Sequence, residues 1–130
     1  KRRRLFEIEC ARPDAAVKTA LFARFWNDPD LPERWVQDGC SIFFAPEHAE
    51  LTREFVSPSL NRLEWIKQFR KIFFLPSYIN AFVRGQTRGL EANMVRAWAD
   101  ATSTPEDIRL KARVALDHLD RTVRIRSMNR

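Results

Sequence analysis

Seven prolines, at positions 13, 29, 32, 46, 58, 76 and 105, cut this chain into stretches whose apolar residues recur every three or four positions. A proline ring fixes φ, removes an amide donor and is tolerated in a helix only within its first turn. Prolines at this spacing, combined with a 3.6-residue apolar rhythm, leave room for short helices joined by tight turns and for little else. A sheet would need a hairpin signal, and there is no Asn-Gly or Asp-Gly between alternating β-branched runs; Asp38-Gly39 lies inside the helical pattern.

The segments read as follows. Asp14 to Asn27 sets Val17, Leu21 and Phe25 on one face with Phe22 and Trp26 beside them, and Asn27-Asp28-Pro29-Asp30 ends it as a turn. Leu31 to Phe44 follows, with Pro32 in its first turn and Trp35, Val36, Cys40, Ile42 and Phe43 as its buried side, up to the break at Ala45-Pro46. Glu47 to Val56 is expected as a short amphipathic helix carrying Leu51 and Phe55, closed by the turn Ser57-Pro58-Ser59. Leu60 to Phe69 comes next, with Leu63, Ile66 and Phe69 as its apolar face and Trp65 a turn from Phe69. Arg70 to Arg84 is dense in large side chains (Ile72, Phe73, Phe74, Leu75, Tyr78, Ile79, Phe82, Val83), which predicts a helix enclosed on most sides. Pro76 should kink that helix or mark its real start, and Gly85 should stop it. Arg88 to Ala101 repeats Leu90, Met94, Val95 and Trp98 at helical spacing. The last helix has the clearest start, with Thr104 as N-cap, Pro105 at the first position and Asp107 three residues on. It runs to about Arg126 along Ile108, Ala112, Ala115, Leu119, Thr122 and Val123; Val123 to Arg126 alternates as a strand would, over too short a run to decide.

The expected fold is therefore all-α: a single helical domain over residues 1–130, with about seven or eight helices stacked as antiparallel pairs in an α-solenoid-like (armadillo/HEAT-like) bundle. No exact repeat at a fixed period accompanies it. A chain of 130 residues with 45% hydrophobic and 31% charged residues buries enough surface to hold a core without a disulfide or metal staple. Cys10 and Cys40, its two cysteines, read as free, packed thiols rather than a disulfide framework. No apolar run approaches the ~20 residues of a membrane span, and no membrane partner is expected. The basic run Lys1 to Arg4 leads straight into Leu5, Phe6 and Ile8 without an initiator Met, from which a piece of a longer protein is expected.

A net charge of +6 ordinarily raises nucleic acid as a partner. Position argues against it. Four of the positive charges are residues 1–4 and four more are Arg121, Arg124, Arg126 and Arg130 in a stretch without acids, so Leu5 to Asp120 is left two negative. A nucleic-acid groove should run through the body with aromatics interleaved, whereas a cationic last turn suits a helix C-terminus. Nucleic acid is thus the less expected partner, and a free-standing basic helical module that binds nucleic acid or another protein is the alternative reading of this chain.

The chemistry-bearing residues are sparse. A zinc hydrolase motif needs two histidines one helical turn apart with a glutamate between, and His48 and His118, the chain's two histidines, do not supply it. Glu47-His48-Ala49-Glu50 reads as a solvated helix start, its acids complementing the dipole. In Asp117-His118-Leu119-Asp120 adjacent side chains point about 100° apart on a helix and cannot form a dyad. Ser41, Cys40 and Cys10 lie in helical apolar surroundings without a Gly-x-Ser-x-Gly elbow, and three glycines (Gly39, Gly85, Gly89) cannot build a phosphate loop. No catalytic, cofactor-binding or metal-binding residue is assigned. The fifteen aromatics read as core. Phe43-Phe44 and Phe73-Phe74 are the exceptions, because adjacent helical residues cannot share one shallow interface. One member of each pair must bury on another face or meet another domain.

Four stretches resemble a known ending: Ile42-Phe43-Phe44-Ala45-Pro46-Glu47-His48-Ala49-Glu50-Leu51-Thr52, Arg70-Lys71-Ile72-Phe73-Phe74-Leu75, Ala81-Phe82-Val83-Arg84-Gly85-Gln86-Thr87 and Leu119-Asp120-Arg121-Thr122-Val123-Arg124-Ile125-Arg126. The chain is similar, over nearly its whole length, to the C-terminal helical domain of bacterial zinc aminopeptidases of the aminopeptidase N type. Its opening, Ala11-Arg12-Pro13-Asp14-Ala15-Ala16-Val17-Lys18, is similar to the helical-pair entry of that domain. The family's zinc motif, amine-recognising glutamates and transition-state tyrosine lie in an earlier domain, and none of those motifs occurs here. The resemblance thus implies a non-catalytic domain whose partners are the catalytic domain of the same polypeptide and the parent's peptide substrates. It implies no cofactor in this chain, with zinc in the parent's catalytic domain. Helix pairs would close a chamber that admits peptides by size, and exposed arginines would contact a peptide carboxylate or the neighbouring domain.

Overall fold

A computed structural model describes residues 2–101 and 103–128, and every regular element among them is helical. The α-helices are α1 (Arg2–Ala11), α2 (Ala15–Asn27), α3 (Glu33–Phe43), α4 (Ala49–Thr52), α5 (Val56–Phe69), α6 (Phe74–Arg84), α7 (Gly89–Asp100) and α8 (Glu106–Met128), with single 3₁₀ turns at Pro46–His48 and Arg53–Phe55 flanking α4. Helix α1 packs on α2 and α3, α3 on α6, α6 on α5 and α8, and α8 on α7, which also meets α5. This order places α1, α3, α6 and α8 side by side in one row and α2, α5 and α7 in a second. It is a layered helical bundle of the expected kind.

Local chemistry explains where the helices start. The Asp14 side chain accepts from the Val17 amide at 3.1 Å and caps α2. Pro32 precedes α3 and offers its carbonyl to Trp35 and Val36. Pro76 marks the true start of α6, two residues inside it, where an amide has no intrahelical partner to lose. Arg70 to Phe73 are consequently a connection and not helix, which corrects the expected span of Arg70 to Arg84. Pro58 sits in the first turn of α5 for the same reason, so Ser57-Pro58-Ser59 opens a helix instead of closing one. At α8 the expected cap is displaced. The Thr104 hydroxyl donates to the Trp98 carbonyl at 2.7 Å, closing α7, and the Pro105 carbonyl takes the first helical bond from Arg109. Val123 to Arg126 is helix.

Aromatic rings fill the seam between the rows. Phe25 meets Phe43 edge-on at 5.2 Å, Phe43 meets Phe44 at 4.8 Å, and Trp26 meets Tyr78 at 5.1 Å. The Tyr78 hydroxyl, fully enclosed, pairs with Ser59 Oγ at 2.6 Å. Trp26 is 7% exposed, and its indole N–H has no partner among the described residues. Not every expected face is buried: on α7 the core side is Ala92, Val95 and Ala99, with Met94 and Trp98 at its margin and Leu90 in solvent.

One buried cation ties the first three helices together. Lys18 is completely enclosed, and its ammonium donates to the Cys10 carbonyl at 2.5 Å and the Phe43 carbonyl at 3.0 Å, with the Phe43 ring 4.6 Å away. These carbonyls belong to the last turns of α1 and α3, where intrahelical donors run out. Burial lowers the Lys18 pKa, opposed by the neighbouring Cys10.

Gly85 ends α6 as expected, though for a reason of space. Its φ of −78° suits any residue, but a Cβ there would overlap the Phe44 carbonyl oxygen and sit 2.9 Å from that of Ala81. The ends of α3 and α6 thus meet backbone to backbone. Gly39 makes room for side chains of α1 instead, since a Cβ there would lie 2.7 Å from the Phe6 ring.

Gly85→Ala should destabilise the fold by at least about 2 kcal/mol, the cost of forcing atoms into a packed backbone contact, read as a lower urea midpoint with unchanged slope. Lys18→Met should cost about 2–4 kcal/mol by leaving two buried carbonyls without a donor, measured the same way.

Candidate functional site

The residues weighed for chemistry are not brought together. His48 is half-buried, with Nδ1 3.3 Å from Lys18 Nζ. An ammonium only donates, so Nδ1 accepts and the neutral ring carries its proton on Nε2. Burial, then the Lys18 charge, lowers the His48 pKa, with Glu47 pulling the other way. Glu47 and Glu50 point to solvent. His118, seventy residues on, is engaged in the same manner: its Nδ1 lies 3.3 Å from the Arg84 guanidinium, and burial followed by Arg84 and Arg121 lowers its pKa. Asp120 accepts two bonds of 2.7 Å from Arg96, and Asp117 is exposed.

A triad histidine needs an acid behind it. Ser41 and His118 line one cleft between α3, α6 and α8, but the group on Nδ1 of His118 is a cation. The thiols are inert. Cys10 and Cys40 are free and fully buried; burial pushes Cys10 up to about 12 and Cys40 well above the usual thiol range. Among the described residues no group of three or more His, Cys, Asp or Glu is placed to hold a metal. No helix among the described residues is long and apolar enough to cross a membrane.

Function is therefore sought on the surface. Seven of the eighteen arginines are held in ion pairs among the described residues, including Arg3 to Asp38 at 2.6 Å, Arg88 to the buried Glu91 at 2.7 Å and Arg113 to Asp100 at 2.7 Å. Arg126 lies in the last turn of α8, as its place in the sequence suggests, and shares a cleft of about 520 Å³ with Arg53 and Arg88. Lys1 and Arg130 lie outside the described residues.

The most unusual surface is the α5–α6 connection. Phe43 and Phe44 are both inside the core, so that pair needs no neighbour. The second pair splits: Phe74 is fully buried and Phe73 is 74% exposed, next to Ile72 at 80% and close to Phe69 at 57%. Cations surround them. The Arg70 guanidinium lies 4.6 Å over the Trp65 ring and 3.7 Å from Glu33, whose Oε2 accepts from the Lys71 amide at 3.1 Å. Lys67 pairs with Asp107 at 2.8 Å. Crevices of about 350 Å³ toward α3 and about 370 Å³ toward α8 flank the connection, and Lys71 lines both. Reading Ile72 and Phe73 as helical hid this feature. The signal that finds it is Pro76, which sets the helix start after them.

No family model matches the chain, and neither a curated protein nor a solved structure does.

Both histidines hold pKa values below the ordinary 6.5 of the unfolded chain, which therefore binds more protons than the fold does as pH drops. Stability should be fully present above about pH 6.5 and decline below it. Urea midpoints at about pH 7.5 and about pH 5 should show the loss, and His48→Gln, which keeps an acceptor for Lys18 without titrating, should shrink it.

Proposed function

We propose that this chain is the non-catalytic C-terminal helical domain of a zinc metallo-aminopeptidase of the aminopeptidase N type. In this reading it packs on the catalytic domain of the same polypeptide, closes the substrate chamber and limits which peptides enter. The observation that supports it is the exposure of Phe73. It falls in Arg70-Lys71-Ile72-Phe73-Phe74-Leu75, one of the stretches that carries the resemblance, and a 74% exposed phenylalanine beside a fully buried one is what a domain that rests on another presents. Among the described residues many polar groups serve helix ends and ion pairs, as in Asp14, Lys18, Arg88 and Glu91. A basic module for nucleic acid fits less well, since many of the arginines are neutralised by carboxylates instead of lining one stripe.

The deciding experiment is to sequence the source DNA upstream of Lys1. The expected result is a continuous frame with His-Glu-x-x-His and a further glutamate downstream of it. The pure chain, supplied with zinc, should hydrolyse no aminoacyl substrate, and activity from it alone would overturn the proposal.

A further inference from the structure

Single exposed apolar side chains are ordinary on a protein surface; Ile72 and Phe73 adjacent on one connection, just after the exposed Phe69 that ends α5, are not. The backbone of this connection is tied at both ends. Glu33 fixes the Lys71 amide, the Phe74 amide donates to the Lys71 carbonyl at 3.0 Å, and the Phe69 ring rests 5.4 Å from Trp65. These contacts fix the backbone on either side of Ile72 and Phe73, which lowers the ordering cost of contact. The two flanking crevices carry Arg34, Lys67, Arg70, Lys71 and Lys111 against Glu33 and Asp107, a net charge of three positive. Both carboxylates are occupied by Arg70 and Lys67, while Lys71 makes no ion pair among the described residues.

We infer that the α5–α6 connection is a docking knob for a protein surface with an apolar recess edged by carboxylates. Resting on the reading above, that surface belongs to the catalytic domain of the same polypeptide. Ile72 and Phe73 enter the recess, the kind of central aromatic anchor that dominates interfaces. Lys71 and Lys111 meet the carboxylates at the rim, where charge sets register and approach rate. An anionic bilayer also pairs apolar insertion with cations. The protein is favoured because the crevices on either side of the knob offer seats for individual side chains, which a lipid surface does not supply.

Three measurements test this. The first uses 8-anilinonaphthalene-1-sulfonate, an aromatic ring bearing one anionic group, as a small stand-in for the partner's chemistry. Its fluorescence with the chain should fall at least fivefold in Ile72→Ser with Phe73→Ser and in Lys71→Glu with Lys111→Glu. It should persist in Leu90→Ser with Val114→Ser, at exposed apolar sites elsewhere. A signal indifferent to both knob variants overturns the assignment of this surface, whatever the parent enzyme. The second is sedimentation with phosphatidylserine vesicles, where no binding is expected; binding abolished by Ile72→Ser with Phe73→Ser overturns the protein partner in favour of a membrane. The third titrates the chain with the polypeptide encoded upstream in its own frame, expressed separately. Association that weakens at least tenfold in both knob variants supports the proposal, and association that survives both overturns it while leaving the aminopeptidase reading intact. An upstream frame without a metallopeptidase overturns that reading and the assignment to its catalytic domain, and the first two measurements then decide whether the knob takes a protein at all.

Discussion

The arrangement of this fold hangs on a charge where charges are rarely found. The ammonium of Lys18 sits in the dry junction of α1, α2 and α3 and takes the carbonyls of Cys10 and Phe43. Both residues are fully buried in the last turns of α1 and α3, so without the ammonium their carbonyls would be strong acceptors left buried and empty. A cation at a helix C-terminus also complements the dipole, and here one cation serves two helices at once. This solution sets the angle at which α1 and α3 converge, and the absent Cβ of Gly39 lets them come close enough for it. The position of α3 then sets that of α6, because the two meet backbone to backbone at Gly85.

Much of this was legible in the sequence because it follows from local rules. Apolar periodicity located α2, α3, α7 and α8 to within a residue or two, and Asp14 announced its own cap. What was misplaced depended on which of two local rules prevailed. Proline near a helix start breaks nothing, so Pro58 and Pro76 sit inside first turns, and the boundaries around them moved. Helix α1 escaped notice as an element because its cationic face concealed the pair Phe6 and Cys10, which are its buried residues. Lys18 was invisible for a different reason. A lysine at that position has the spacing of the core, but nothing in one chain's pattern says that a charge will be accepted there; the acceptors come from residues 10 and 43, and only the fold brings them together.

The surface was legible in part. Sequence reasoning held that adjacent phenylalanines face different ways and that one of each pair needs a second home. For Phe43 and Phe44 that home is internal: Phe43 packs toward Phe25 and Phe55 and Phe44 toward Tyr78 and Phe82. The same arrangement is closed to Phe73, since α6 begins one residue later and its core side is already occupied by Phe74. The difference between the two pairs is thus a matter of helix register, with no difference in residue type.

The long last helix ends on different terms from the others. Leu119 is its last buried residue and Val123 the last to touch the core, yet the helix continues through Met128. The final turn therefore buries nothing in the core; Arg126 and Ser127 edge the open cleft toward Arg53 and Arg88, and the turn is held chiefly by its own amide ladder and by the match between Arg126 and the dipole. Its opening free energy is that of an isolated helix end and lies far below that of the bundle. Amide protons there should exchange by local fraying ahead of global unfolding, which makes the cationic end of α8 the first part of that helix to open.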